Sequence, residues 1–152
     1  MCCMDNLTRL TIDRKTGSEP FHVDGESLAI SLLAFWQWSA SDLISNTMRG
    51  RLAEYLVAYD LGVADGIRVE WDAYDLKTTS GIKVEVKSAA YLQSWTQRKP
   101  SAISFSIRPT LGWDATANAY GTEPQRQADV YVFALLHHHD KATLDPLNAA
   151  QW

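Results

Sequence analysis

The hydrophobic pattern of this chain changes its period near Gly66, and that change limits what the chain can fold into. Before it, residues 28–38 and 46–61 have helical character, and the second of these segments stops at a glycine. After it, residues 67–77 and 82–89 alternate with the period of two that is typical of strands. Helices followed by strands predict an α/β (α+β) domain.

Short connections set the limits of these elements. Asp24 or Ser27 could cap the first predicted helix, because short polar side chains satisfy the free amides of a first helical turn. Residues 78–81 (Thr-Thr-Ser-Gly) predict a hairpin-type connection between the two predicted strands.

The remaining residues predict further strands and a long loop. Residues 103–107 alternate cleanly and predict a third strand, whereas the continuous apolar run at 130–136 predicts a buried central strand. Residues 108–128 are rich in Pro, Gly, Thr and Asn and predict a long loop, of a kind that is often functional. Residues 1–25 lack strong periodicity and predict an N-terminal extension to one domain spanning 1–152. A C-terminal strand is expected to be missing or very short.

The cysteines and the apolar runs indicate a compartment. Cys2 and Cys3 are the only cysteines, and adjacent cysteines rarely bond to each other, so the protein is expected to be reduced and cytoplasmic. The N-terminus lacks the charged and then apolar pattern of a signal peptide. The longest apolar run is far short of the ~20 residues that span a bilayer, which predicts a soluble protein without a membrane partner.

Charge is unevenly distributed along the chain. The net charge of −4 by itself argues against a nucleic-acid partner. Residues 76–110, however, hold six Lys and Arg against Glu85 alone, a net +5 that leaves −9 for the rest of the chain. Such a segment is typical of a surface that contacts phosphates, and its candidates are Lys77, Lys83, Arg98, Lys99 and Arg108. The alternative is a set of solvated strand and loop side chains.

Two carboxylates and a lysine form the strongest candidate for chemistry. On a strand, Glu85 and Lys87 share one face, and a turn at residues 79–81 would place Asp75 opposite Glu85. Carboxylate oxygens in that arrangement suit Mg²⁺ or Mn²⁺, which lowers the pKa of a bound water and neutralises charge on a phosphate. Lys87 would orient the water or the phosphate, or act as the base.

The choice of Asp75 over Asp72 depends on which face of the strand each residue occupies. Asp75 ends an apolar stripe that also contains Val69, Trp71 and Ala73. A carboxylate at the margin of an apolar face is costly unless a metal or another partner compensates it. Asp72 falls on the polar side with Arg68 and Glu70, and becomes the candidate only if a bulge shifts the strand.

Glu54 is a third candidate carboxylate. It lies in the second predicted helix on a mostly uncharged stripe. Two interpretations stay open for it: a direct or outer metal ligand, or an ion-pair partner of Arg51.

Two further groups of residues have ordinary explanations beside functional ones. Aromatic and amide side chains among cations, as in residues 91–97, could stack on bases or bind phosphates, with Gln93 or Gln97 beside the metal site. Trp95 by itself is better explained as a core residue. Residues 137–139 are all His, but adjacent side chains on an extended chain point to opposite sides. They are interpreted as a solvated strand end and not as a metal site.

A helix with Glu54, followed by a hairpin with Asp75, Glu85 and Lys87 and then by further strands, resembles the PD-(D/E)xK restriction-endonuclease-like superfamily, in a bacterial branch. The resemblance covers roughly residues 46–136. It implies a central mixed β-sheet flanked by helices and hydrolysis of phosphodiester bonds, with DNA as the expected substrate and Mg²⁺ as the cofactor. The sequence departs from the family pattern in two ways. No Pro precedes Asp75, and no helix is predicted between residues 103–107 and 130–136.

These observations lead to a metal-dependent nuclease with Asp75 and Glu85 as metal ligands, Lys87 as the catalytic base and Glu54 in support. A second hypothesis is a non-catalytic nucleic-acid-binding or assembly module with the same fold. A third is a metal-independent structural domain in which Glu85 and Lys87 form a surface ion pair. Cleavage of both strands of a duplex would favour a homodimer.

Overall fold

The computed structural model describes residues 10–70, 72–114 and 117–152, so Cys2, Cys3 and Trp71 lie outside the described residues. It is a mixed α+β structure with two helices, a three-stranded sheet and two separate hairpins in the described part of the chain. In chain order the elements are β1 (Pro20–Val23), β2 (Glu26–Ser31), α1 (Leu32–Ala40), α2 (Asn46–Asp60), β3 (Leu76–Lys77), β4 (Lys83–Ala90), β5 (Trp113–Asp114), β6 (Ala119–Tyr120), β7 (Val130–Leu136) and a final 3₁₀ turn (Ala149–Gln151).

The three-stranded sheet has the order β3-β4-β7. β3 is antiparallel to β4, and β7 is parallel to β4 along its whole length, from the pair Val84–Val130 to the pair Ala90–Leu136. The apolar run at 130–136 therefore forms a strand, as its composition predicts. Within the described residues it lies at the sheet edge and not in the centre.

α2 packs on one face of this sheet. Ala53 of α2 and Val84 and Val86 of β4 form the buried cluster, and partly buried Val57, Leu76, Val132, Ala134 and Trp152 surround it. The prediction of this helix is confirmed. The Ser45 side chain caps it by accepting a hydrogen bond from the Met48 amide (3.4 Å), and Gly62, with φ of 67°, ends it.

The helix predicted at residues 28–38 begins later than expected. Residues up to Ser31 form β2, and Ser31 caps α1 by accepting from the Ala34 amide (3.3 Å). Asp24 and Gly25, with φ of 51° and 87°, form the tight turn between β1 and β2. Positive φ at both central residues is what a two-residue hairpin requires, so Asp24 serves a turn and not a helix cap.

Two other predicted strands are shortened or absent. Of the described residues in the range 67–77, only Leu76–Lys77 pair as a strand, and residues 103–107 form none. Phe105 nevertheless contacts Phe133 of β7, with ring centroids 4.7 Å apart, so its alternating pattern reflects packing against the sheet face without strand pairing. The expected long loop at 108–128 contains the β5–β6 hairpin and a bridge between Thr110 and Gln125.

None of the helices among the described residues combines the length and the apolar character that a membrane crossing requires.

The end of α2 generates a prediction about stability. Gly62 has φ of 67° and Gly66 does not have a positive φ, while an added Cβ would meet nothing within 4 Å at either position. Gly62→Ala should lower the free energy of unfolding by about 1–2 kcal/mol, because an L side chain is strained in the left-handed region. Gly66→Ala should be neutral or stabilising by about 0.4–1 kcal/mol, because it restricts the unfolded chain. Urea unfolding of both variants tests this, and equal effects would contradict it.

Candidate active site

Asp75 lies where β3 begins and is held to β4 by two hydrogen bonds. Its amide donates to the Val84 carbonyl (3.1 Å), and its carboxylate oxygen Oδ2 accepts from the Val86 amide (2.7 Å). β3 has only two residues, so this carboxylate takes the backbone donor that a longer strand would have paired. The ladder between β3 and β4 consists of the pairs Lys77–Lys83 and Leu76–Val84. Continued by one residue, the same antiparallel register places Asp75 beside Glu85.

Glu85 and Lys87 lie on the face of β4 opposite the core. Val84 and Val86 are buried, whereas the Glu85 and Lys87 side chains are 19% and 38% exposed. The Lys87 ammonium donates to Glu85 Oε1 and forms an ion pair with it. One strand thus supplies core residues with one face and the carboxylate–lysine pair with the other.

Glu54 reaches the same region from α2. Its carboxylate accepts two hydrogen bonds from Arg68, from Nε to Oε2 and from Nη2 to Oε1 (3.2 Å). Arg51, the partner considered from the sequence, pairs instead with Glu70 at 3.5 Å. Of the two interpretations left open for Glu54, the pair with Arg51 is therefore wrong, because the fold brings Arg68 to the Glu54 carboxylate instead.

The Asp75 carboxyl has a pKa raised to about 6. Burial is the largest cause, and the negative charges of Glu85 and Glu54 act in the same direction. The hydrogen bond from Val86 and the positive charge of Lys87 oppose the increase. Asp75, Glu85, Glu54 and Lys87 therefore form one electrostatic group, with Asp75 at its centre.

The oxygen donors of this group fit a small hard cation better than a soft metal. Asp75 and Glu85 offer two carboxylates that interact electrostatically. Mg²⁺ is commonly held by one or two carboxylates with water completing its shell. In the described part of the chain, no group of three or more His, Cys, Asp or Glu side chains is arranged to hold a metal ion. Asp75 and Glu85 could hold such a cation as a pair, with Glu54 one shell further out.

Two cavities open on either side of this group. One of about 490 Å³ is lined by Glu54 and Asp75 together with four cations, Arg14, Arg51, Arg68 and Lys77. A smaller one of about 280 Å³ is lined by Glu85, Lys87, Arg108, Gln127 and Tyr131. Each of the two cavities is therefore lined both by carboxylates of this group and by cationic side chains.

The five basic residues expected to contact phosphates lie in three places. Lys77 and Lys83 face each other across β3 and β4, and Arg108 lines the smaller cavity beside Lys87. Arg98 and Lys99 are exposed on the segment that follows the far end of β4. Arg51 and Arg68 also line the larger cavity, because α2 and the 67–70 segment approach it. The count of charge along the chain does not identify these two residues.

Gln93 is buried and joins two elements. Its Oε1 accepts from Arg49 Nη1 (3.1 Å), and its Nε2 donates to the Ala90 carbonyl (3.2 Å). Burial lowers the pKa of the Arg49 guanidinium, which also donates to the Ile44 carbonyl and to Asn46. Gln93 thus links the start of α2 to the end of β4. Trp95, expected in the core, is 53% exposed.

The three adjacent histidines have separate surroundings. His138 Nε2 lies 2.7 Å from the Thr143 hydroxyl, and the His139 ring stacks on Tyr91 with centroids 4.2 Å apart.

The raised pKa of Asp75 generates a prediction about pH. Because the folded state holds this proton more tightly than the unfolded state, Asp75 lowers stability as pH rises from about 4 to 6. Asp75→Asn removes that loss and keeps an oxygen for the Val86 amide. Its free energy of unfolding relative to the parent should therefore be higher at pH 8 than at pH 4 by about 1–2 kcal/mol, after discounting for partial exposure.

Urea unfolding in a chelator at both pH values measures this difference. Asp72→Asn is the matched control, because it removes one carboxylate that is exposed to solvent. If both variants change equally with pH, the burial of Asp75 is not the cause.

Comparison with known families identifies the relatives of the chain. A family model described as bacteriophage T4 endonuclease IV matches residues 27–152, which include both helices and every strand of the three-stranded sheet. No curated protein and no solved structure matches the chain. With most of its length covered by that model, the chain belongs to the bacteriophage T4 endonuclease IV family.

Proposed function

We propose that this protein is a metal-dependent endonuclease that hydrolyses phosphodiester bonds in DNA. Its family is one of endonucleases, which supports the reaction class. The observation that supports the location is the Asp75 carboxylate, held on the Val86 amide beside Glu85, with a pKa raised by burial and by neighbouring carboxylates. A carboxyl group in such surroundings gains most from a cation that neutralises it.

Asp75 and Glu85 would hold Mg²⁺ or Mn²⁺, which supplies a water of lowered pKa and neutralises charge on the phosphate. Asp75 is pre-positioned for this role, because its Oδ2 already has a backbone donor and cannot rotate freely without losing it. Glu85 would exchange its ion pair with Lys87 for the cation.

Lys87 is the residue proposed to act on the attacking water. Its ammonium lies on the same face as Glu85 and lines the smaller cavity. There it can orient the water, take its proton as a base, or hold the phosphate next to it.

Cations of the chain would hold the nucleic acid on both sides of the carboxylates. Lys77 and Lys83 are opposite each other across the hairpin, an arrangement of like charges that costs stability unless an anion lies between them. Neither takes part in an ion pair among the described residues. Arg108 has the corresponding place at the smaller cavity, while Arg98 and Lys99 would extend the contact along the chain.

Glu54 would support the site from α2 through its two hydrogen bonds to Arg68. These bonds keep the Glu54 carboxylate close enough to Asp75 to raise the pKa of the Asp75 carboxyl. Arg68 also lines the larger cavity, where it could contact a phosphate directly.

One observation favours a second candidate function, a non-catalytic nucleic-acid-binding module. Glu54 and Glu85 each pair with a cation of the chain itself, and such pairs can exist for structure alone. Carboxylate-dependent binding of a divalent cation separates the two functions, because the module does not need it.

The metal is tested first and without nucleic acid. Titration with Mg²⁺ or Mn²⁺ should give a saturable heat signal and raise the melting temperature of the parent protein, because only the folded state brings Asp75 and Glu85 together. Asp75→Asn and Glu85→Gln should each lose this response. Asp72→Asn, a matched loss of one exposed carboxylate, should keep it. Absence of any response in the parent would leave the binding module as the better description.

Lys87 separates catalysis from binding. With Mg²⁺ or Mn²⁺ present, Lys87→Ala should lower the cleavage rate of DNA by about 10²–10⁴-fold, the usual contribution of a general acid–base group. Its affinity for DNA should remain within a few-fold of the parent, because many other cations contact the phosphates. Gel-based cleavage and anisotropy titrations measure the two quantities.

Lys83→Ala is the matched control for Lys87→Ala, since it removes an ammonium from the same strand at an exposed position. It should bind DNA somewhat more weakly and still cleave once bound. If Lys87→Ala cleaves as fast as the parent, the assignment of Lys87 fails.

A further inference from the structure

The N-terminal part of the described chain exposes an unusual amount of apolar surface. We call residues 17–40 the arm; it consists of the β1–β2 hairpin and α1. Eight of its large apolar side chains are exposed, from 37% for Trp36 to 84% for Trp38. The others are Phe21, Val23, Leu28, Ile30, Leu33 and Phe35.

The arm is held together internally, so this exposure belongs to an ordered surface. Its first residues fold back on α1, where the Leu32 and Leu33 amides donate to the Glu19 and Gly17 carbonyls at 2.9 and 2.8 Å. Gly17 lies against the Trp36 ring so closely that an added Cβ would be 3.1 Å from its Cζ3.

The apolar residues of the hairpin share one face. His22 pairs with Ser27 and Val23 pairs with Glu26, so alternation places Phe21 and Val23 on the same side as Leu28 and Ile30, with Glu26 on this side at the turn end of the hairpin. This side is exposed in the described structure, and α1 likewise buries none of its nine described residues. An isolated two-stranded ribbon is only marginally stable in water, which means that the arm gains stability from being covered.

Charge excludes nucleic acid as the cover. Residues 16–48 contain neither Lys nor Arg, and their charged side chains other than His22 are the acids Glu19, Asp24, Glu26 and Asp42. Phosphates would be repelled by such a segment, and anionic lipid headgroups would be repelled equally. An apolar surface with acidic margins fits another protein surface.

The size of the surface fits a dimer of this chain. Leu33 and Trp36 lie against Gly17 on another side of α1, so they are left out of the contact. With about 150–250 Å² for each aromatic side chain and somewhat less for each aliphatic one, the exposed fractions of the other six leave roughly 600 Å² of apolar surface. That is at the lower end of the roughly 600–1,000 Å² per partner in a stable protein–protein interface. In a two-fold dimer each copy contributes the same apolar patch, so that patch needs no second complementary surface. The acids Glu19, Asp24 and Glu26 of the two arms repel each other and therefore belong at the solvated margin of the contact.

We propose that the arm is the interface of a homodimer, in which the arms of two copies pack on each other about a two-fold axis. Phe21, Val23, Leu28 and Ile30 form one part of the contact, and Trp38 and its neighbours on α1 form the other. Through residues 41–45, the arm leads directly into α2, which carries Glu54, so the contact holds two candidate active sites in one particle.

Sedimentation velocity and light scattering of the full chain, from roughly 1 to 100 µM, test the proposal. The parent should have twice the chain mass of 17.0 kDa. Ile30→Asp and Trp38→Asp should each weaken the dimer by at least about 30-fold, because a charge placed among the apolar contacts costs about 2 kcal/mol or more. Leu147→Asp, at a side chain 71% exposed outside the arm, is the matched control and should remain dimeric.

Each outcome decides the question. A parent that is monomeric throughout, particles without a defined size, or arm variants that dimerise like the parent would overturn the proposal. The parent measurement alone decides if an arm variant does not fold, and circular dichroism identifies that case. The measured quantity is mass, so a dimer that fails to cleave DNA would contradict the proposed function and leave this interface standing.

Discussion

The hydrogen bond from the Val86 amide to the Asp75 carboxylate fixes the central residue of the candidate active site to the three-stranded sheet. β3 has only two residues, and the side chain of the residue that precedes it takes the backbone donor that a longer strand would have paired. The bond holds the carboxylate in place while burial and the nearby Glu85 and Glu54 charges raise its pKa. The position of the Asp75 carboxylate is thus fixed by a hydrogen bond, while its negative charge is unfavourable in these surroundings. A bound cation would neutralise that charge.

β4 is the element that couples this site to the core. Val84 and Val86 pack against Ala53, and the residues that alternate with them are Glu85 and Lys87. On α2, Glu54 follows Ala53 directly, so the contact that buries the helix also directs its carboxylate toward Asp75. A core substitution that moves α2 on the sheet would therefore change the electrostatic group as well as the stability.

Charge divides the molecule into two surfaces of different character. Cations gather around the carboxylates, from Lys77 and Lys83 on the hairpin and from Arg51 and Arg68 nearby, despite the net charge of −4. The arm is acidic and apolar and contains neither Lys nor Arg. Phosphates would be attracted to the first surface and repelled from the second, which leaves the arm for contact with protein.

The sequence by itself determined the elements whose pattern is local. The limits of α2, the turn at residues 78–81, the strands β4 and β7 and the shared face of Glu85 and Lys87 follow from periodicity, caps and turn residues. Only the tertiary structure decided which distant groups meet. It pairs Glu54 with Arg68, buries Gln93 against Arg49, packs Phe105 on Phe133 without a strand, and leaves β7 at the edge of the described sheet. The reason is that alternation of apolar and polar side chains along a segment indicates only that one face is covered. The residues that cover it come from elsewhere in the chain and leave no local pattern in that segment.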